Sequence, residues 1–375
     1  MTAVGNVLLI VAGVLLVVVV ADAAVRTFVV PRGTIVFLTA AVFRSFRRVF
    51  DIIGSPRRGY EWLDRVWAVY APTTLLALPV VFLILVFLGY TFIFVGLEQH
   101  GWSEAFETSG SSLFTLGFVH PTDLPSVFLA FTEAAIGLGL LALVIAYLPT
   151  IYGSFSRREV AVTDLSIRAG TPPTALEWLT RAHLTGFLDD MDKFWDAWLM
   201  WFTEVQETHT SNGALVYFRS PNPHRNWITA AGAVMDTAAI RLAALDMPWT
   251  PNAPLCIRSG FVALREIAGF YGFEYDPDPA PDDPISVARA EFDELCDTLA
   301  ARGVPVKEDR DQAWRDFAGW RVNYDGVMLA LAAMVRAPYA PWISDRSPSR
   351  PLHRYPWGRR RRATARLAGP RPQAM

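Results

Sequence analysis

The chain has 375 residues, 52% of them hydrophobic, and a formal net charge of −2 at pH 7. Length suggests roughly two domains, and the near-balanced charge points to no polyanion, so no nucleic-acid partner is expected. Cys256 and Cys296 stand far apart without a CxxC spacing, which excludes a zinc site of their own and argues against a disulfide framework. Lys193 and Lys307 are the only lysines and neither follows a glycine-rich loop, which excludes a Walker-type phosphate cradle.

Residues 1–21 carry no charge, apart from the amino terminus, and Val7 to Ala21 is an unbroken apolar run. With flanks to Val25 it supplies the roughly 20 residues a helix needs to cross a bilayer. Ala21-Asp22-Ala23 has the look of a signal-peptidase site, but no basic residue precedes the apolar run. An uncleaved span over 1–25 is therefore expected. The connection 26–66 holds Arg26, Arg32, Arg44, Arg47, Arg48, Arg57, Arg58 and Arg65. Within it Ile35, Leu38, Val42, Phe46, Val49 and Ile53 share one helical face, opposite Arg44, Arg47, Arg48 and Asp51. Two readings fit: an interfacial helix on the inner leaflet, or a helix packed on the C-terminal domain.

Trp67 to Leu97 is a second apolar run, broken only by Pro72 and Pro79, and Val127 to Tyr152 is a third, with Glu133 its single charge. No Lys or Arg occurs from Val66 to Ser156, whereas Arg157, Arg158 and Arg168 follow the third run. The positive-inside rule then places the 26–66 loop and the C-terminal half in the cytoplasm, with the N-terminus and the 98–126 loop outside.

The 98–126 segment thus leaves and returns on one side. Gly101 to Glu107 starts like a helix, with Ser103 as its cap and two acids in the first turn, and is expected to run to about Phe114. Thr115-Leu116-Gly117-Phe118 follows as extended chain. Non-helical backbone survives at membrane depth only when buried in protein or lining water, so this arrangement suggests a pore loop.

Span, pore helix, T-L-G-F and span together resemble the pore module of potassium channels, over about residues 67–155. The filter of that family is usually written T-V-G-Y-G. Thr115 matches its threonine, Leu116 its valine, Gly117 its first glycine and Phe118 its tyrosine. Thr108, Ser111 and Ser112 resemble the polar end of the pore helix, Pro121 the proline after the filter, and Glu133 and Gly137 the inner helix of bacterial members. The rest of the chain resembles no family, and its apolar runs and helical patterns, taken with this resemblance, lead to an expected all-α membrane protein of a bacterial plasma (inner) membrane. It would have three transmembrane helices, a re-entrant pore loop between the second and third, and a mostly helical cytoplasmic domain. Backbone carbonyls of Thr115 to Phe118 would replace the hydration shell of potassium or another monovalent cation, in a homotetramer. No enzyme activity and no cofactor are implied. Two departures stand out. Val119 occupies the place of the second filter glycine, and a β-branched side chain resists positive φ. His120 stands where an acid is usual, so the mouth lacks a fixed negative charge. A pore-like scaffold or sensor that does not conduct is the alternative.

Glu133 is costly in lipid and must face protein or water: either it stands behind the filter, bonded to the pore helix, or it lies near enough to the outer interface to stay wet. Gly137 and Gly139 are candidates for a gating hinge or for close packing. Gly137-Leu-Gly139-Leu-Leu-Ala142 formally matches a dinucleotide fingerprint, but no strand precedes it.

Residues 156–344 read as helical. Leu184, Phe187, Leu188, Met191, Trp195, Trp198 and Phe202 recur at helical spacing, and the segments 226–245 and 285–303 repeat the style, the last ending at Gly303. Residues 274–284 form an acidic, proline-rich loop. Asp189, Asp190, Asp192, Glu204, Glu207 and His209 could gather a metal, but they follow no ligand-spacing signature, and a solvated face is the commoner role. Residues 345–375 carry Arg346, Arg350, Arg354, Arg359 to Arg362, Arg366 and Arg371 amid prolines, a composition expected to be disordered and drawn to the anionic lipids of the inner leaflet.

Overall fold

The computed structural model describes residues 3–30, 36–54, 59–97 and 101–347, and apart from one antiparallel bridge between Leu245 and Val306 their regular structure is helical. Three helices are long and apolar enough to cross a membrane: α1 (Ala3–Phe28), the unit formed by α3 (Tyr60–Ala68) and α4 (Tyr70–Gly96), and α6 (Leu124–Ala169). Between them lie α2 (Phe37–Ile53) and α5 (Trp102–Leu113).

α1 and α4 pack along most of their length, through glycine. A Cβ on Gly96 would stand 2.7 Å from the carbonyl oxygen of Asn6, and one on Gly13 would overlap the carbonyl of Gly89. Small residues let helix backbones approach where lipid supplies no hydrophobic drive. The core they share contains Val17, Leu78, Phe82, Val86, Phe94 and, from α6, Leu140. The outer face of α1 from Val4 to Val19, including Leu8, Leu15 and Val18, is exposed and apolar, as suits a helix able to cross a membrane.

A second core is built by α7 (Ala175–Leu184), α8 (Asp192–Ser211), a 3-10 turn (Gly213–Tyr217), α9 (Trp227–Ala244), α10 (Asn252–Phe270), α11 (Arg289–Ala301), α12 (Arg310–Arg321) and α13 (Asp325–Val335). α9 is its axis. All but one of its residues from Trp227 to Ala244 are buried, and its many alanines let neighbours close in around it. Phe194, Trp195, Trp198, Trp201 and Phe202 of α8 form a continuous aromatic cluster of tilted and edge-on rings. Arg321, fully buried, is paired with two carboxylates. Arg321 donates to Asp325 Oδ1 at 2.8 Å and also to Asp236, whose carboxylate accepts from Tyr324 as well.

α6 belongs to both cores. Leu140 lies in the first, and Ile151, Val162, Leu165 and Ala169 in the second. It is a single 46-residue helix with Pro149 inside it, so it continues well past the apolar run ending at Tyr152. Asp123 caps it, accepting from Ser126 N at 2.9 Å.

Several sequence expectations change on contact with the packing. Residues 175–209 form two helices rather than one surface, because the chain turns at Gly186, whose φ is +69°. In α2 the face bearing Arg47 and Asp51, expected to point away from the apolar contacts, meets the C-terminal helices. Arg47 donates to Met334 O at 3.3 Å and Asp51 pairs with Arg336 at 2.6 Å, while Val49 and Ile53 stay exposed. Arg158, counted only as a cytoplasmic-side arginine in the sequence, is 3% exposed. It donates to the carbonyls of Leu215 and Phe218 at 2.9 and 2.8 Å, tying α6 to the turn after α8. Arg346, assigned to the basic tail, is bound to Glu291 at 2.9 Å and to Ser286 O. The tail from 348 onward, Ile35 of the α2 face, and Arg32, Arg57 and Arg58 lie outside the described residues.

Candidate functional site

α5 starts after Gly101, which provides no side-chain cap; Ser103, expected to cap it, is already inside the helix. Its acidic first turn includes Glu104, which suits the partial positive charge at a helix N-terminus. The helix lies in the cleft between α4 and α6. Phe106 meets Phe87 of α4 edge-on at 4.8 Å, and Ser109 Oγ lies 3.1 Å from Phe87 O.

Depth follows from the partners. At its C-terminal end Leu113 touches Gly137: a Cβ there would stand 2.7 Å from the Leu113 carbonyl oxygen. From the start of α6 at Leu124 to Gly137 is about 20 Å of helix at ~1.5 Å per residue. The end of α5 therefore reaches well down the flank of α6, and the chain must climb back from Phe114 to reach Leu124.

Glu133 sits behind this helix with no exposed surface, accepting from Ser109 Oγ through Oε1 at 2.6 Å. Its Oε2 is buried with no hydrogen-bond partner among the described residues. The wet, interfacial position considered for Glu133 is thereby replaced by a buried one against α5. Ser109 was not singled out as its partner, since 24 residues separate the two in sequence and neither helix pattern alone says which faces meet.

The Thr115–Val119 stretch is non-helical and held at its base. Thr115 N donates to Ser112 O at 3.0 Å and Leu116 N to Ser111 O at 2.8 Å. Ser111 Oγ then accepts from Val119 N at 3.2 Å, so one serine grips both ends of the segment. Thr108 and Ser112 bond back to their own helix, to the carbonyls of Glu104 and Thr108, each at 2.8 Å. Two residues take left-handed backbone, Thr115 at φ +54° and Gly117 at φ +73°; Leu116, Phe118 and Val119 do not. For Gly117 this conformation is free, whereas a β-branched threonine is strained there by about 1–3 kcal/mol. Leu116 and Phe118 are 62% and 63% exposed, and nothing lies within 4 Å of where a Gly117 Cβ would be.

The two glycines of α6 differ. Gly137 is a close-packing position against Leu113, and Gly139 has nothing within 4 Å. The helix runs unbroken through both. Pro149, not considered as a hinge from sequence, is the residue that removes a hydrogen bond from the α6 ladder.

The acidic residues of α8 do not converge. Asp192 accepts from Thr250, Glu204 from Arg157, Glu207 from Ser211, and His209 turns into Arg158. Among the described residues no three His, Cys, Asp or Glu side chains are grouped to hold a metal ion. Arginine has no acceptor, so the 3.0 Å contact from Arg158 Nη1 makes His209 Nε2 the acceptor of a neutral imidazole. Burial, and secondarily the Arg158 charge, holds the His209 pKa well below the ordinary value. Both cysteines are buried and free.

Compared with protein-family models, curated proteins and solved structures, the chain matches none.

Proposed function

We propose that the chain forms a tetrameric cation channel, potassium-like, with the Thr115–Val119 backbone as its filter and α5 as its pore helix. One observation carries the proposal. An exposed, non-helical segment sits deep along α6, between helices able to span a membrane. Lipid cannot satisfy such backbone, so it must be covered by other copies or face water. Four copies around an axis do both, and the resemblance of T-L-G-F to the potassium-channel filter names the water-filled path. Left-handed backbone alternating at Thr115 and Gly117 supports the reading, since alternation of handedness turns successive carbonyls toward one side. Glu133 and Ser109 brace the pore helix from behind. The distribution of arginine supports an N-terminus outside and a cytoplasmic C-terminal domain, with anionic lipids of the inner leaflet as partners.

The test is direct. The purified chain is sized in detergent and fused into planar bilayers under a potassium gradient. A tetramer passing potassium is expected; a tetramer silent across voltage and pH would overturn conduction. Val119, whose backbone is not left-handed, favours one second reading: a pore-like scaffold whose outermost ion site is missing.

A further inference from the structure

A cavity of about 190 Å³ lies where the two cores meet. The end of α1, α2 and the start of α4 wall it on one side, and the Gly213–Tyr217 turn and Tyr271 on the other. Its interior is mainly apolar: Ala40, Leu75 and Leu78 line it and are almost wholly buried, with the hydroxyls of Thr27, Thr39 and Ser211 among them. Its rim carries Arg26, Arg44 and Arg47. Arg26 is already neutralised by Asp22 at 2.8 Å. Arg44 donates to Ala40 O of its own helix at 3.2 Å, and Arg47 to Met334 O at 3.3 Å while lying over the rings of Trp67 and Tyr217. Among the described residues neither Arg44 nor Arg47 has a carboxylate partner, and the nearby Asp51 is taken by Arg336. Two uncompensated guanidinium groups therefore border a mainly apolar hole at the foot of the spanning helices.

We propose that this cavity takes a segment of one acyl chain of an anionic phospholipid, whose phosphate rests between Arg44 and Arg47. Charge complementarity selects the headgroup, since guanidinium groups pair with phosphate through parallel N–H donors. The largely apolar walls select a lipid over a free anion, which would meet no further charged donor inside. Size sets the extent: the volume equals about six waters at ~30 Å³ each, so only part of one chain enters and the remainder stays in the bilayer. The end of α1 beside the rim exposes Val25, Val29 and Val30, which continues the apolar path outward. A lipid seated there touches α1, α2, α4 and the turn after α8 together, and so acts as a clamp between the two cores. The inference rests on reading α1, α4 and α6 as membrane spans and is independent of conduction.

The full-length chain, stripped of lipid in an uncharged detergent, is titrated with dioctanoyl phosphatidylglycerol, dioctanoyl phosphatidylcholine and inorganic phosphate, with native mass spectrometry counting bound molecules. One phosphatidylglycerol per chain is expected, with clear preference over phosphatidylcholine and no displacement by phosphate. Arg44→Gln lowers the affinity about five-fold, since one basic group near an anionic surface is worth ~1 kcal/mol. Thr39→Trp, which fills the cavity from α2, abolishes binding, with circular dichroism showing unchanged helix content. Equal affinity for both lipids, displacement by inorganic phosphate, or wild-type binding in the two variants overturns the proposal. No readout involves ion flux, so this site and the channel reading fail separately.

Discussion

Substituting Gly137 by alanine tests the seating of α5, the proposed pore helix. The new Cβ would lie 2.7 Å from the Leu113 carbonyl oxygen and 3.0 Å from its Cδ1. Ordinary carbon–oxygen contacts begin near ~3.3 Å, so α5 must shift by about 0.6 Å or undock. Overpacking of this kind costs about 1–3 kcal/mol. Gly139→Ala, two residues along the same helix, is the control, because open space surrounds that position. Both changes raise the helix propensity of α6 by the same ~1 kcal/mol, in the docked and undocked states alike, so that effect drops out of the comparison. Hydrogen–deuterium exchange across residues 102–118 in detergent reads the local opening directly. Gly137→Ala is expected to lower protection of the α5 amides by about 5–150-fold, the exponential of that cost, while Gly139→Ala leaves it unchanged. Equal protection in the two variants would show that α5 does not rest on α6 through Leu113, and the depth argument for the filter would fall with it.

Three further outcomes are expected. Asp236→Ala leaves the fully buried Arg321 short of a carboxylate and should cost about 3–5 kcal/mol, read as a lower unfolding midpoint; an unchanged midpoint would contradict the network. His209 is held neutral, with its folded-state pKa depressed below the unfolded value. The unfolded chain therefore binds a proton that the native one refuses, and stability is full above ~pH 6.5 and falls on acidification by at most ~1.4 kcal/mol per unit. His209→Gln should remove that component of the slope between pH 7 and 5, and an identical slope in both proteins would count against a neutral buried imidazole. Val119→Gly gives backbone freedom at the outermost position of the proposed filter, and a gain in potassium selectivity over sodium, measured as a reversal-potential shift, is expected; no change would argue that Val119 does not limit selectivity.

Much of this architecture was legible in the residues. Long apolar runs locate α1, α4 and α6 because burying backbone in lipid leaves few alternatives to helix, and hydroxyls and glycine between two such runs mark the α5 loop. What periodicity does not carry is which faces meet. Gly137 and Gly139 look alike in sequence and only the approach of Leu113 separates them. Arg158 reads as one more cytoplasmic-side arginine until the carbonyls of Leu215 and Phe218, nearly sixty residues on, supply its acceptors. Ser109 acquires its role from Glu133 on another helix. Arg346 looks like the start of a basic tail and is instead claimed by Glu291. In each case the deciding partner is remote in the chain and leaves no local signature.

The unbroken passage of α6 through both cores makes it a lever with a weakened point. Proline at 149 deletes one rung of the hydrogen-bond ladder, so bending concentrates there rather than spreading along the rod. From Pro149 to Ala169 is about 30 Å of helix at ~1.5 Å per residue. A ten-degree swing about the proline would thus sweep the lower end through about 5 Å. The arm on the other side, from Leu124 to Pro149, is about 38 Å at the same rise, so a force that the C-terminal helices exert on the lower end is carried past the proline to an arm of comparable length.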